Sequence, residues 1–565
     1  MGEKLKTCFR SAVLFLILLF PNIYAIFMAS DLSQPAKAAA YMAVVLTGMV
    51  LPMLFLRRRT YFIVMGVLCL FFAPIEVACL YLNHNPASTT FVGLIYAANW
   101  QEVVGIMSTV WPIAIALVAI WVLYFVLAAK QPNEWMIPRG IGLCSLSIVL
   151  PLLFIGGLLF FSHYARSIYH IQSPREVVSL AKDLTLMKFN KIYPYNMYLH
   201  TWRVISDQRA MLKAQEALTP FRFGIKAQED QRPELYVLVI GESARSDNFA
   251  LNGYDRPTTP HLNQRERLVS YPHIYSQAGT TEFAVPLMLS RIPVKHNEDV
   301  YTEKTLPEAF HEAGYQTAWL TNKSRALYLQ RVLEAMDRHF ETGKDLSTGN
   351  NFDGHLLVPF GDELNTDVTK HLVVIHTMGS HWRYDTRYPE SFEKFTPGLD
   401  DDFQLTMLQP ESRDRLVNAY DNTILYTDWF LDSVITMVEQ THLPAMVVYM
   451  SDHGENLYDD ERHLVLHGNY CASEWLFHVP FMVWYSREYE KAHPDKIRQL
   501  RAHVGTRDNS TILFHSLVDA AGLSYINDAA SSAIMRTRSI FSNDYQAPDT
   551  LFVLTTEGEC VALEY

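Results

Sequence analysis

Cysteine is scarce: six in 565 residues, of which Cys8, Cys69, Cys79 and Cys144 lie in or beside apolar runs and only Cys471 and Cys560 fall in the second half. That excludes a disulfide framework as the source of rigidity. Charge is also sparse, at 19% of residues with a formal net charge of −12 and no long Lys/Arg run. The basic footprint that neutralises a phosphate backbone is missing, so nucleic acid is not an expected partner. No Gly-x-x-x-x-Gly-Lys-[Ser/Thr] loop occurs, which removes the usual ATP phosphate cradle. With 49% apolar and 13% aromatic residues, neither a disordered nor a fibrous chain is possible.

The long apolar runs are confined to the first third. Crossing ~30 Å of hydrocarbon takes a helix of ~20 predominantly apolar residues. Residues 11–30, 38–56, 60–82, 103–129 and 140–162 meet that requirement, with Glu76 the one charge among them. A membrane domain of five transmembrane helices is therefore expected over residues 1–162. Lys4, Lys6 and Arg10 precede the first span, Arg57, Arg58 and Arg59 separate the second and third, and Lys130 and Arg139 flank the loop after the fourth. Placing these on one side makes the N-terminus cytoplasmic and puts everything after residue 162 outside. The external loop 83–102, carrying Asn99 and Glu102, is expected to form a short interfacial helix with a polar face. One intramembrane acid and no paired broken-helix repeats argue against a transporter.

Over residues 163–232 hydropathy falls and helical spacing takes over. Ser173, Pro174 and Glu176 form a capping box, with Val177, Leu180, Ala181 and Leu184 following on one face. These residues are expected to form amphipathic helices bridging to a soluble domain over 233–565. There, short runs rich in Val, Ile, Tyr and Trp at 235–240, 317–320, 371–375, 445–450 and 479–484 alternate with helix-like stretches such as 306–313 and 412–439. Such alternation predicts an α/β doubly wound sheet covered on both faces.

In those sheets ligands sit at the carboxyl ends of the strands. The first run ends in Glu242-Ser243-Ala244-Arg245, the third in His376 and then Met378-Gly379-Ser380-His381, and the fourth in Ser451-Asp452-His453-Gly454-Glu455, with His467-Gly468 downstream. Carboxylates and imidazoles are ligands that Zn²⁺ or Mn²⁺ accept. Gly279-Thr280-Thr281-Glu282-Phe283-Ala284-Val285-Pro286 adds two hydroxyls before an apolar turn. A hydroxyl becomes a useful nucleophile only beside a metal or base. Otherwise Thr280 or Thr281 simply caps a helix beginning near Phe283.

Together these motifs, with Tyr420-Asp421-Asn422 and Gly253-Tyr254-Asp255-Arg256-Pro257-Thr258-Thr259-Pro260, resemble those of the bacterial membrane-bound phosphoethanolamine transferases of the alkaline-phosphatase/sulfatase superfamily. The resemblance covers essentially the whole chain. It implies a sulfatase-like periplasmic domain on an inner-membrane anchor, with phosphoethanolamine passing from phosphatidylethanolamine to a lipid A phosphate or a lipopolysaccharide core sugar. Thr281 matches the nucleophile, Thr280 being the fallback. Glu242, Asp452 and His453 match the ligands of a catalytic zinc that Thr281 completes. His381 and His467 match positions holding the phosphoryl group or a second zinc, Ser324 lies in the same phosphate-binding stretch, and Asn99 and Glu102 match donor-headgroup residues.

The chain departs from the polymyxin-resistance branch in carrying Gln277 and Leu287 where that branch has cysteines, and Leu327 where it has a phosphate-binding lysine. Arg325 is the substitute considered for that charge. The stretch Asn456-Leu457-Tyr458-Asp459-Asp460-Glu461-Arg462 looks more like the branch that modifies core sugars. A sulfatase would need Cys or Ser in [Cys/Ser]-x-Pro-x-Arg, whereas Glu-Phe-Ala follows Thr281. The alternatives are a phosphoglycerol transferase of the lipoteichoic-acid-synthase type and a membrane-anchored binding protein without catalysis.

Overall fold

The computed structural model describes residues 2–29, 35–83, 86–97, 100–137, 191–217, 220–227, 232–323, 332–341, 352–367, 369–399, 409–467, 473–555 and 558–563. They form two compact units, Met1–Ile205 and Ser206–Tyr565.

The second unit is built on one eight-stranded sheet. Its strands are β1 (Glu234–Gly241), β2 (Leu268–Tyr275), β3 (Gln316–Thr321), β4 (Arg338–Glu341), β5 (Lys370–His376), β6 (Ala445–Ser451), β7 (His478–Tyr485) and β8 (Asp508–Asn509). The spatial order is β8-β2-β7-β6-β1-β5-β3-β4. β7 runs antiparallel to both its neighbours, and every other pairing is parallel. β1 and β6 are buried at every position, which requires cover on both faces and explains their unbroken apolar sequences. Tyr236, Leu238 and Ile240 share a cluster with Phe310, Leu513 and Leu517 on one face. The buried stripe Ile424, Leu431, Val434 and Val438 of the 27-residue helix Arg413–Glu439 lies outside that cluster and against β6, covering the other face.

The five apolar runs read as strands are all strands. Helix Leu306–Glu312 starts at a capping box, Thr305 with Glu308, as its sequence suggests. β2 escapes that reading because Ser270 and His273 interrupt its apolar pattern, and β4 because it is a charged, largely exposed edge.

The first unit is helical: Gly2–Met28, Pro35–Val50, Arg58–Leu70, Ala73–Asn83, Thr89–Ala97, Trp100–Ala129 and the start of Tyr195–Ala217. Gly2–Met28 is long and apolar enough to cross a membrane, and the third expected span is a pair, Arg58–Leu70 and Ala73–Tyr81, bent by 45°. The second is a shorter helix extended by a 3₁₀ turn, Leu51–Leu54. The fifth span at 140–162 and the capping box at Ser173 lie outside the described residues. Thr89–Ala97 is a short helix within the loop 83–102, with the Ser88 hydroxyl accepting from the Phe91 amide at 3.0 Å. Its sequence TTFVGLIYA is nearly all apolar rather than polar on one face.

Candidate active site

Glu242, Thr281, Asp452 and His453 meet at the carboxyl ends of β1 and β6. These neighbouring parallel strands, paired Gly241 to Ser451, bring segments more than 200 residues apart into register. Asp452 Oδ1 accepts from the Ser243 and His453 amides at 3.1 and 2.7 Å, whereas Oδ2 is buried without a hydrogen-bond partner among the described residues. The His453 Nδ1–H donates to the Gly454 carbonyl at 2.7 Å, which leaves Nε2 turned toward Glu242 Oε1 at 3.5 Å. Gly454 is required there: a Cβ would stand 1.9 Å from the Trp475 carbonyl oxygen.

Thr281 is the first residue of the helix Thr281–Met288. Thr280 occupies the cap position and makes no side-chain cap bond. The Thr281 Oγ1 lies 3.2 and 3.1 Å from the two Glu242 oxygens and 3.3 Å from His453 Nε2. The hydroxyl is therefore aimed into the charged cluster, at the helix end whose partial positive charge favours an oxyanion. The capping alternative does not describe it.

The electrostatics ask for a cation. Glu242, Asp452 and His453 are fully buried, with ligand atoms all within 4.8 Å of one another. Burial by itself would raise Glu242, but the Lys323 ammonium and His453 hold it well below the usual carboxylate range. Burial and the Glu242 charge push Asp452 up. Burial opposes a charge on His453, yet Asp452 and Glu242 hold it up to about 9. Two carboxylates, one of which has an oxygen without a partner among the described residues, and an imidazole nitrogen make an N/O donor set suited to Zn²⁺.

Around this centre stand the two further histidines. The His467 ring is 4.6 Å from that of His453 and 6.2 Å from that of His381, centroid to centroid. His467 Nδ1 is held by the buried Glu455 carboxylate at 3.1 Å. Burial pushes His381 down to about 3, so this imidazole stays neutral. The His381 turn is fixed by Gly379, whose φ is +46° and whose missing Cβ would sit 2.8 Å from the Glu242 carbonyl oxygen. Ser324, Arg325, Leu327, Asn99 and Cys471 lie outside the described residues, and Glu102 is on helix Trp100–Ala129.

The sulfatase family profile matches residues 234–523, just over half of the chain. The chain belongs to the sulfatase family. Among curated proteins it is similar to phosphoethanolamine transferase EptA of Salmonella typhimurium, 30% identical over 348 residues, 58% of this chain and 61% of that protein. It thus spans about three fifths of that relative's length. Among solved structures it is similar to the C-terminal periplasmic domain of EptC from Escherichia coli in complex with Zn, with TM-score 0.54 and 27% identity over 61% of this chain and 96% of that one. The integral membrane protein lipooligosaccharide phosphoethanolamine transferase A (EptA) from Neisseria meningitidis shares the fold over 95% of this chain and 97% of its own, with TM-score 0.69 and 20% identity. The resemblance read from the motifs is borne out.

Within this sulfatase-family domain, several of the motifs prove to be braces rather than chemistry. Tyr254 and Arg256 both bind the Asp421 carboxylate, and the Tyr420 hydroxyl donates to the Ser243 carbonyl at 2.6 Å. Gln277 accepts from the Val294 amide at 2.9 Å, and Leu287 packs with Ala278, Ala284, Val294 and Leu554. Where a cysteine-bearing branch has sulfur, this chain has a hydrogen bond and an apolar cluster. Two residues were missed by the sequence reading. Lys323, at the end of β3, puts its ammonium on Glu242 Oε2. Asp353 accepts from Asn322, the Met378 amide and the Gly379 amide at 2.7, 2.8 and 2.9 Å. The Asn322-Lys323-Ser324 string after a strand was the available signal.

Proposed function

We propose that the protein is an inner-membrane enzyme with five spans and a periplasmic catalytic domain that transfers phosphoethanolamine from phosphatidylethanolamine to a lipid A phosphate or a core sugar. The observation that carries this reading is the Thr281 hydroxyl at a helix N-terminus, within 3.3 Å of both Glu242 and His453. Glu242, Asp452, His453 and Thr281 are the residues that would hold Zn²⁺, which supplies Lewis-acid stabilisation of charge on oxygen.

Thr281 Oγ1, held by Glu242 and His453, gives its proton up to water and forms a bond to phosphorus. The bond from phosphorus to the diacylglycerol oxygen breaks, and that oxygen takes a proton from water as diacylglycerol leaves. An acceptor oxygen then attacks the phosphothreonine, the Thr281 O–P bond breaks, and Thr281 Oγ1 takes back a proton from water. His381, whose Nδ1–H donates to the Trp382 carbonyl, and His467, whose Nδ1 is held by Glu455, are assigned to the phosphoryl group or a second zinc, and Ser324 lies in the chain that continues from Lys323. Asn99 and Glu102 are assigned to the donor headgroup. Confining donor, acceptor and enzyme to one leaflet replaces a search in three dimensions.

The test is to incubate the zinc-loaded protein in detergent with headgroup-labelled phosphatidylethanolamine and map adducts by mass spectrometry. A phosphoethanolamine mass on Thr281, absent in Thr281→Ala, is expected. Turnover of phosphatidylglycerol instead would move the assignment to phosphoglycerol transfer, and silence with both lipids would leave a binding protein.

A further inference from the structure

We propose that His376 is a positioning residue: its imidazole is a second acceptor for the Lys323 ammonium and keeps it in place when Glu242 shares its charge with a metal ion. The role presupposes the metal reading above. His376 ends β5 and is buried, and neither of its ring nitrogens has a hydrogen-bond partner among the described residues. Leaving buried polar groups unpaired lowers stability, and beside a reactive centre such a group calls for a role. No step described above uses this imidazole.

The sheet order gives that role a geometry. β5 lies between β1 and β3, with His376 paired to Ile240 on one side and to Thr321 on the other. Glu242 follows β1 and Lys323 follows β3, so their backbones stand two strand spacings apart, roughly 10 Å. The ion pair between them is therefore made across the end of β5, and the lysine side chain crosses the strand that His376 closes. The base of that side chain is tied to His376 itself. The Lys323 amide donates to Thr321 Oγ1 at 3.0 Å, and that hydroxyl donates to the His376 carbonyl at 3.0 Å. Trp319, paired with Val374 one row nearer the amino end, sets its ring nearly perpendicular to the imidazole with centroids 5.9 Å apart, which closes that side. Burial first, and then the Lys323 charge, push His376 well below its usual range. The ring is thus neutral, and one of its nitrogens carries a lone pair. Glu242 attracts the ammonium less once its charge is shared, whereas that lone pair keeps its attraction, and an ammonium has three hydrogens to divide between the two acceptors.

Zinc affinity, read by competition with a chromophoric chelator on the full-length protein in detergent, tests this without turnover. His376→Phe is expected to weaken zinc binding tenfold or more, because the ammonium is then left on Glu242, and His376→Gln to recover part of the loss. In a Lys323→Met background the same His376→Phe change is expected to be silent. Equal zinc affinity in His376→Phe and the parent would overturn the proposal, as would an equal loss in both backgrounds, which is what a merely structural role would give. Zinc binding that survives Glu242→Gln undiminished would sink the metal reading and this proposal together. A Glu242-dependent zinc site without coupling between His376 and Lys323 would sink the proposal alone.

Discussion

β1 carries a buried glutamate at each end, and the two have opposite surroundings. At the amino end, Glu234 Oε2 accepts from the Tyr315 hydroxyl at 3.0 Å and the Tyr236 hydroxyl at 3.4 Å. Burial would raise its carboxyl, but His493 and Tyr315 hold it below the ordinary range. The ring of tyrosines around it is tightly packed, with Tyr236 meeting Phe310, Tyr315 and Tyr489 edge-on. At the carboxyl end, Glu242 is contacted by a hydroxyl, an ammonium and an imidazole, each with bonding capacity left over. Burial of a carboxylate is thus uninformative alone. What separates scaffold from site is whether the partners of the buried charge are finished with it.

The largest expected contrast follows from exchanging the carboxylates for amides. On the transfer reading proposed above, Glu242→Gln should lower turnover by on the order of 10³ or more, since it removes a carboxylate that would hold the metal and that accepts from Thr281 Oγ1. Glu234→Gln should leave turnover within a factor of two and cost about 1–3 kcal/mol of stability through an imperfectly matched buried hydrogen bond. A Glu234→Gln protein that stays folded but loses turnover would erase the distinction between the two ends.

Acid sharpens it next. Burial first, then Arg338, pushes His371 down to about 4 at the amino end of β5, and burial pushes His515 down to about 3. Both are neutral in the folded chain, while the unfolded chain takes up protons near pH 6.5. Stability should therefore fall as pH drops below about 6.5, the Glu363 carboxylate 3.5 Å from His371 Nε2 moderating the His371 share. Urea midpoints against pH would show it, and His371→Asn should flatten the slope. The smallest expected effect is none: reductant should leave the melting temperature unchanged, because Gln277 ties the segment before helix Thr281–Met288 to the Val294 amide and Leu287 packs that helix without sulfur.

Much of the centre was legible because parallel strands announce themselves as short apolar runs and their carboxyl ends are where ligands collect. Glu242, Asp452 and His453 each follow such a run directly, and Thr281 precedes an apolar helical turn. Lys323 was not legible, since counting along a motif led past it to Leu327. Its contact with Glu242 spans 81 positions and depends on Asn322 being pinned by Asp353. Gly379 and Gly454 read as motif letters in sequence. Only the packed backbone shows that one relieves a collision with the Glu242 carbonyl and the other with that of Trp475.

The pairing of β1 directly with β6 has a consequence for biosynthesis. Gly241 finds its partner Ser451 only after some 210 further residues have been made, and so long a closure is formed late. A chain emerging from its amino end carries Glu242 and Thr281 long before Asp452 and His453 arrive. No incomplete product brings the four residues together, so the assembled cluster itself reports that the sheet has closed.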